Sequence, residues 1–360
     1  MPQYHIDPDI RRARTLPGHF YHDAATFDAL REEVFAPAWH WIGETPELTD
    51  APQAHPFTLL PDYLHEPLLL TQTQAGDLHC LSNVCTHRGN LLVNQAGPCR
   101  ELRCRYHGRR FALDGQMKHM PEFKGVEDFP AESDHLPSLP VQRWGPLVFT
   151  SLQPRQDFDA WLGPVLERVG FLPLEVFTHA PAYSRSYRVQ AHWALYVDNY
   201  LEGFHIPFVH PALNQVVSYP DYRYELFEQG NLQVGIAKEG EATFDLPEGH
   251  PDQGQAVTAY YFWLFPNLML NFYPWGLSLN LVEPRNLHET VVRFETFVWR
   301  PELYDDRNRD LLHHTELEDE EVVESVHRGL SSRLYQHGRF SPKMEPAVHH
   351  FHRLLAEALG

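Results

Sequence analysis

The chain has 360 residues, of which 43% are hydrophobic and 21% charged, a composition typical of a globular protein large enough for two domains. Its formal net charge of −19 argues against nucleic acid as the main partner, because phosphate binding requires a basic surface. Residues 1–21 lack the apolar region of a signal peptide, and the longest apolar tract, residues 257–273, is interrupted by Pro266 and two asparagines. We therefore expect a cytoplasmic protein that does not enter a membrane.

Residues 1–37 are predicted to form a lead-in segment with one helix. Asp23 can cap this helix, whose apolar residues recur at helical spacing as far as Val34, and Pro37 ends it. Residues 38–155 contain short alternating strands separated by turns, which indicates an all-β domain.

Residues 156–360 are predicted to form an α+β domain built on an antiparallel sheet. The strand-like runs are residues 183–190, 256–265, 268–273, 277–282 and 290–299. Helical patterns cover residues 193–204 and 309–337.

Two short segments, CTHRG at residues 85–89 and CRYHG at residues 104–108, each carry one cysteine, one histidine and a closing glycine. Two thiolates and two imidazoles are the ligand set of a Rieske [2Fe-2S] cluster, in which histidines replace cysteines on one iron. Zinc is the alternative, although zinc fingers usually pair C-x(2–4)-C with H-x(3–5)-H. The predicted cluster ligands are Cys85, His87, Cys104 and His107.

The other features of this region are two cysteines, two glycines and a group of arginines. Cys80 and Cys99 have no histidine at ligand spacing and are predicted to be free thiols. Gly89 and Gly108 are expected to let the backbone pass close to inorganic sulfide, where a Cβ would crowd. The arginines form either a solvated surface or a basic patch that docks an acidic electron-transfer protein. They are Arg88, Arg103, Arg105, Arg109 and Arg110.

A second candidate metal site lies in residues 198–210, where His205 and His210 are five positions apart around Pro207. On an unbroken helix these side chains would point about 140° apart. Pro207 has no N–H group to donate to the Gly203 carbonyl, so we expect the helix to break there and His210 to turn back towards His205. Two neutral imidazoles and one carboxylate form the facial triad of non-haem Fe(II) oxygenases.

The carboxylate must come from another part of the chain. The richest source of candidate carboxylates is the acidic run Glu316, Glu318, Asp319, Glu320, Glu321 and Glu324, although such a run is often only a solvated helix face. The histidines at 313–314 and 349–352 are predicted to be surface or packing residues.

Taken together, these motifs resemble the catalytic α subunit of Rieske non-haem iron oxygenases over nearly the whole chain. The likeness rests on C-x-H followed by C-x-x-H, on N-Y-x-E-x-x-H-x-x-x-x-H at residues 199–210, and on E-D-x-x-x-x-E at residues 318–324. It implies an N-terminal Rieske domain, a helix-grip catalytic domain with an antiparallel sheet, and a head-to-tail ring of three subunits.

The resemblance also assigns residues to the second metal site. His205, His210 and Asp319 are implied to hold a mononuclear Fe(II), and Asn199 and Glu202 are implied to be catalytic positions. Glu202 matches a carboxylate that, in the family, joins a cluster histidine of one subunit to an iron-ligand histidine of its neighbour.

Two departures from the family pattern bear on function. Arg105 and Arg109 replace a common proline and tryptophan beside the cluster, which affects its potential and the docking of the donor. Glu202 replaces the aspartate usual in ring-hydroxylating dioxygenases, and in this respect the chain is similar to the branch that acts on choline, carnitine and betaines. Residues 265–271 are also similar to that branch.

The implied function is hydroxylation or demethylation of a small organic substrate with O₂. The sequence has no nucleotide-binding fingerprint, so electrons are expected from a separate reductase, directly or through a ferredoxin. The alternatives are an aromatic ring-hydroxylating dioxygenase and an electron carrier with an inactive iron site. Aromatic faces for a quaternary ammonium group could come from Phe204, Phe208, Tyr260, Tyr261 and Phe262.

Overall fold

The structure is a computed structural model that describes residues 3–44, 51–210, 223–238, 240–304 and 306–360, with the backbone alone for residues 306–312. Residues 1–2, 45–50, 211–222, 239 and 305, which fall within the predicted domains, lie outside the described residues. The chain divides into two compact units. One is Ala36–Arg155, and the other combines Met1–Phe35 with Gln156–Gly360.

The unit Ala36–Arg155 consists of short strands. They are β1 (His40–Glu44), β2 (Gln53–Leu59), β3 (Glu66–Gln72), β4 (Leu78–Ser82), β5 (Gly97–Pro98), β6 (Leu102–Arg103), β7 (Arg110–Phe111), β8 (Met117–His119), β9 (Ser138–Leu139), β10 (Val141–Trp144) and β11 (Leu147–Thr150). The strands form three antiparallel sheets, ordered β1-β11-β10, β5-β2-β3-β4-β9 and β6-β7-β8. One cysteine–histidine segment follows β4, and the other joins β6 to β7. Cys85 and Cys104 belong to a buried core with Leu81, Leu102 and Phe111, which fixes both segments to the sheets.

The other unit combines helices with one large sheet. Its helices are α1 (Ala24–Leu30), α2 (Phe158–Val169), α3 (Trp193–Tyr200), α4 (Ile206–Val209), α5 (Asp306–Leu330) and α6 (Pro346–Leu359). Its strands are β12 (Thr178–His179), β13 (Arg185–Val189), β14 (Arg223–Phe227), β15 (Gly230–Ile236), β16 (Val257–Leu264), β17 (Leu268–Tyr273), β18 (Gly276–Asn286) and β19 (Glu289–Val298).

The sheet of this unit is antiparallel, as predicted. Its described strands run in the order β12-β19-β18-β17-β16-β15-β14, and β13 also pairs with β19. Helix α3 contacts β18 and α5, and α5 also contacts β13, so long-range packing places the helices against the sheet. The β-sheets of the unit Ala36–Arg155 and the helices packed on the large sheet confirm the predicted α+β class.

The lead-in segment belongs to the same compact unit as Gln156–Gly360. Asp23 caps α1 as predicted, because its Oδ2 accepts the Thr26 N–H at 2.8 Å, and a π-helix continues α1 over Arg31–Phe35. The Leu16 N–H donates to His352 Nδ1 at 3.0 Å, which ties the segment to α6.

Several elements differ from the sequence prediction. Helices α2 and α6 and strands β14 and β15 were not predicted, and the predicted helices at 193–204 and 309–337 end earlier, at Tyr200 and Leu330. In the part of the chain that the structure describes, no helix has both the length and the apolar character needed to cross a bilayer.

Candidate iron centres

The two cysteine–histidine loops have matching backbone hydrogen bonds. In the first, the Cys85 N–H donates to the Asn90 carbonyl at 2.9 Å and the Gly89 N–H to the Cys85 carbonyl at 3.0 Å. In the second, Cys104 donates to the Arg109 carbonyl at 2.8 Å and Gly108 to the Cys104 carbonyl at 3.0 Å. The bonds have the same offsets in both loops, so the two loops form a matched pair.

The closing glycines are required by backbone conformation. Gly89 and Gly108 have φ values of +70° and +76°, which side chains other than glycine adopt only with strain. A Cβ on Gly89 would meet no described atom within 4 Å, so protein crowding does not select this glycine.

The side chains of the two loops form a set with two sulfurs and two imidazoles. Cys85 and Cys104 are each 2% exposed, and burial, together with the neighbouring Cys104, raises the pKa of the Cys85 thiol. The ring centroids of His87 and His107 are 4.7 Å apart. Nδ1 of His107 is buried and has no hydrogen-bond partner in the described part of the chain. An unpaired buried imidazole nitrogen on a loop that also carries a buried thiol suits a metal cluster, so these residues fit a [2Fe-2S] group.

Arg109 does not belong to the proposed basic surface. Its side chain is 2% exposed, lies 2.7 Å from Asp134 Oδ1 and stacks on Phe111 and Phe129. Arg109 is therefore a buried structural cation. The arginines exposed around the loops are Arg88, Arg103 and Arg105, whereas Arg110 is half-buried.

The second site forms because the chain turns between two helices, although Pro207 is not the cause. Helix α3 ends at Tyr200, and Pro207 lies in the first turn of the separate helix α4, where a missing N–H costs little. The Gly203 carbonyl accepts the Ile206 N–H at 3.3 Å instead. The predicted break at Pro207 was therefore wrong in position, although His210 does turn back towards His205.

His205, His210 and Asp319 are brought together. His210 Nε2 lies 2.9 Å and His205 Nε2 3.4 Å from Asp319 Oδ1. One ligand-type atom from each residue lies within 4.8 Å of the other two, and His210 is 1% exposed. Two imidazole nitrogens and one carboxylate in this arrangement can hold a mononuclear iron with open positions.

Carboxylates orient both histidines. Glu202 Oε1 lies 2.6 Å from His205 Nδ1, and Glu318 Oε2 lies 2.7 Å from His210 Nδ1. With Nδ1 donating to a carboxylate, each Nε2 keeps its lone pair for a metal. Asn199 Nδ2 donates to Asp319 Oδ1 at 3.0 Å and orients the third group.

The acidic run therefore divides into residues with different partners. Asp319 faces both histidines, Glu318 binds the rear of His210, and Glu316 accepts the Tyr196 hydroxyl at 2.8 Å. Burial, with Asp319 close by, raises the pKa of Glu316 well above its usual value. Although burial alone lowers the pKa of His210, its hydrogen bonds to Asp319 and Glu318 raise that pKa overall.

A cavity of about 250 Å³ opens at His205, His210 and Asp319, and one face of the sheet forms part of its wall. A single cross-strand row lines it, in which Gln233 pairs with Tyr261, Tyr261 with Asn271, Asn271 with Ser278, and Ser278 with Thr296. The remaining aromatic residues of the wall are Tyr183, Tyr187, Tyr196, Tyr200, Tyr273, Trp275, Phe294 and Tyr304.

Of the five aromatic residues suggested from the sequence, only Tyr261 lines this cavity. Tyr260 and Phe262 flank Tyr261 on the same strand, so they point to the opposite face of the sheet, where both are fully buried. Phe204 and Phe208 are 43% and 78% exposed. His313, which was predicted to be a surface or packing residue, lines the cavity, and its Nδ1 lies 2.8 Å from the Tyr187 hydroxyl.

Sequence comparison matches two families to these two parts of the chain. The profile of the Rieske [2Fe-2S] domain matches residues 38–130, and that of the ring hydroxylating alpha subunit (catalytic domain) matches residues 178–360. The chain belongs to the Rieske non-haem iron oxygenase family. Its cofactors are a [2Fe-2S] cluster and a mononuclear iron, and its electrons come from a partner reductase. The zinc and inactive-carrier alternatives are therefore set aside.

Two similar proteins are a choline monooxygenase and the oxygenase subunit of a carnitine monooxygenase. The chloroplastic choline monooxygenase of Arabidopsis thaliana is 30% identical over 97% of this chain and 84% of its own length. The carnitine monooxygenase oxygenase subunit of Escherichia coli K12 is 30% identical over 96% of this chain and 94% of its own length.

Solved structures show the same fold. A quaternary ammonium Rieske monooxygenase, from a study of carnitine oxidation and inter-subunit electron transfer, matches with a TM-score of 0.77 and 23% identity, covering 98% of this chain and 97% of that one. Naphthalene 1,2-dioxygenase from Rhodococcus sp. matches with a TM-score of 0.69 and 17% identity, covering 96% and 93%.

Replacing Glu318 tests the orientation of His210. In Glu318→Gln an amide oxygen replaces the carboxylate at His210 Nδ1, and we expect affinity for the mononuclear iron to fall about 10- to 100-fold. Anaerobic Fe²⁺ titration against a competing chelator measures this. Glu321→Gln is the matched control, because Glu321 is exposed on the same helix and loses the same charge. Equal iron retention in both variants would contradict the role of Glu318.

Proposed function

We propose that this chain is the oxygenase component of a Rieske monooxygenase that acts on a quaternary ammonium compound with a carboxylate group. The observation that carries the proposal is a connected group of aromatic rings in the wall of the cavity. The same cavity is lined by the carboxylates of the iron centre. Aromatic faces attract cations electrostatically and commonly bind trimethylammonium groups. The likeness to the choline and carnitine enzymes supports the same substrate class.

The aromatic cage, as we call this group, consists of Tyr183, Tyr261, Tyr273, Trp275 and Tyr304. Tyr183 and Tyr304 stack with ring centroids 4.6 Å apart, and Tyr273 stacks on Trp275 at 5.1 Å. Trp275 meets Tyr304 edge to face at 4.8 Å, and Tyr261 meets Tyr273 at 5.8 Å. These contacts hold the rings in fixed positions, so a cation can bind without a large ordering cost.

Arg185 lines the same cavity and suits a carboxylate at the other end of the substrate. We infer that a betaine or carnitine fits better than choline, which has no carboxylate. The reaction would insert one oxygen atom of O₂ into a C–H bond next to nitrogen and release the other as water, with two electrons from the donor and two protons from solvent. Where that carbon is an N-methyl group, the product loses formaldehyde.

A substrate panel tests this class. Coupled O₂ uptake and product formation should occur with carnitine or glycine betaine and fail with benzoate-type acids. In Trp275→Leu the KM for the cationic substrate should rise roughly 2- to 30-fold, because a cation–π contact is worth about 0.5 to 2 kcal/mol.

The control separates charge from shape. A neutral analogue in which carbon replaces the quaternary nitrogen should bind weakly to the native protein and lose little further affinity in Trp275→Leu. Phe208→Leu removes an exposed ring that does not line the cavity and should leave KM unchanged. Turnover of benzoate-type acids alone would favour the aromatic dioxygenase instead.

We assign the cluster to Cys85, His87, Cys104 and His107, and the mononuclear iron to His205, His210 and Asp319. When bound, the cluster supplies electrons and the iron supplies the site of O₂ activation. Asn199 would keep Asp319 in place by its 3.0 Å hydrogen bond. The cavity walls would exclude water around the substrate, which limits side reactions.

Glu202 is proposed to connect the two centres between neighbouring subunits in a ring of three. Its Oε1 already binds His205 Nδ1, and its Oε2 accepts the backbone N–H groups of Phe204 and His205. A carboxylate held in this way can orient a second histidine from a neighbour. The ring of three, like the cytoplasmic location, stays a prediction.

In Glu202→Gln we expect both metals to remain bound, with about three irons per chain. Substrate-dependent reoxidation of the reduced cluster should slow by at least about tenfold, because the amide has one acceptor oxygen and its NH₂ group cannot accept a hydrogen bond from a second histidine. Stopped-flow absorbance of the cluster measures this step. Glu202→Asp, which keeps the carboxylate, should recover part of the rate. Normal coupled turnover in Glu202→Gln would contradict the connection.

The electron donor is proposed to dock at the exposed arginines Arg88, Arg103 and Arg105. Tyr106, which follows Arg105 in the chain, is 58% exposed and has its ring centroid 3.7 Å from that of His107. Within a chain of net charge −19, this local basic patch would attract an acidic reductase or ferredoxin.

Arg105→Glu should lower kcat/KM for the donor about tenfold at low ionic strength, and the difference should shrink as salt screens the charges. Steady-state rates with varied donor and salt measure the effect. Arg143→Glu, an exposed arginine on β10, is the control for the change in net charge. If both variants behave alike, the donor docks elsewhere.

A further inference from the structure

Three histidines that are far apart in the sequence meet outside the oxygenase cavity. His22 immediately precedes the capping residue of α1, His288 lies in the turn between β18 and β19, and His327 lies in the last turn of α5. One ring nitrogen from each lies within 4.8 Å of the other two. None of the three lines the cavity beside His205 and His210.

Hydrogen bonding within this histidine cluster is incomplete. His288 Nδ1 and His327 Nε2 are 3.0 Å apart and share one hydrogen bond, and the rings of His22 and His327 have centroids 4.6 Å apart. His22 Nε2 and His327 Nδ1 are buried without a partner among the described residues. A simple packing cluster would leave these buried nitrogens unsatisfied, which native proteins rarely tolerate.

The electrostatics suit a cation that binds imidazole lone pairs. Burial, with His22 and His288 close by, lowers the pKa of His327 to about 4. Burial, with His288 close by, lowers the pKa of His22 as well. These shifts favour the neutral form of His22 and His327, and neutral imidazole is the form that binds metals.

We propose that His22, His288 and His327 form a binding site for a divalent transition-metal cation of the zinc type, separate from both iron centres. Imidazole suits Zn²⁺, Cu²⁺ and Ni²⁺, whereas Mg²⁺ and Ca²⁺ require oxygen ligands. Tetrahedral Zn–N bonds of about 2.0 to 2.1 Å place ligand nitrogens roughly 3.3 Å apart, close to the spacing of His288 and His327. His288 is exposed, so water can fill the fourth position.

The site has a route for the metal and a structural consequence. His288 is exposed, which gives the metal a way in, and His22 also lines a cavity of about 640 Å³ formed with residues 17–19, 330–333 and 335–337. A bound ion would join the lead-in segment, the β18–β19 turn and the end of α5. Because α5 also carries Glu318 and Asp319, the ion would fix the far end of the helix that supplies the iron centre.

The test uses the iron-loaded protein and Zn²⁺ alone. After equilibration with micromolar zinc and removal of free ion, metal analysis should find about one zinc per chain with iron content unchanged. His22→Gln and His327→Gln should lose nearly all of this zinc, whereas His5→Gln, which removes an exposed histidine of the same lead-in segment, should keep it. Absence of zinc from the native protein would overturn the proposal.

Two further measurements keep the result unambiguous. His288→Gln changes an exposed turn residue, so it should fold normally, lose the zinc and lose the rise in Tm that zinc gives the native protein. Zinc K-edge absorption should show nitrogen ligands with imidazole scattering. Zinc that persists in His288→Gln but disappears in Asp319→Ala would place the ion at the iron centre and overturn the assignment.

Discussion

One carboxylate oxygen organises the oxygenase centre. Asp319 Oδ1 has nitrogens of Asn199, His205 and His210 at 3.0, 3.4 and 2.9 Å. Neither histidine can rotate freely, because a glutamate holds its Nδ1. Helices α3, α4 and α5 must therefore meet at one point, and the end of α3 at Tyr200 gives the chain the turn that this requires.

The buried carboxylates of the centre destabilise one another, but their negative charge also attracts cations. Buried carboxylates repel one another, and the raised pKa of Glu316 reflects burial and the nearby Asp319. The Tyr196 hydroxyl donates to Glu316, while backbone N–H groups and the His205 ring donate to Glu202. The remaining negative charge favours cations within a small cavity. It would attract both a metal ion and a cationic substrate, and the aromatic cage adds to the second effect.

The sequence predicted best what local chemistry determines. The ligand motifs, the Asp23 cap and strand β17, with the same bounds at residues 268–273, all depend on neighbouring residues. Helix α2 was missed because Gly163 and Pro164 lie inside it, and both residues disfavour a helix. Tertiary packing overrides that preference. The burial of Arg109 could not be predicted either, since its partner Asp134 is twenty-five residues away.

The wall of the cavity corresponds to a recognisable pattern in the strand sequences. Along β16, β17 and β18, polar or hydroxyl-bearing residues such as Tyr261, Asn271 and Ser278 interrupt apolar strands, and register places them side by side. Helices and the turn between them supply the candidate iron ligands, whereas strands supply much of the substrate wall. Substitutions in the strand row change the cavity wall on elements that carry none of the three candidate iron ligands, although hydrogen bonds link Asn271 and Gln233 to Tyr200 at the end of α3. This separation gives a physical reason why one fold serves both quaternary ammonium and naphthalene oxygenases.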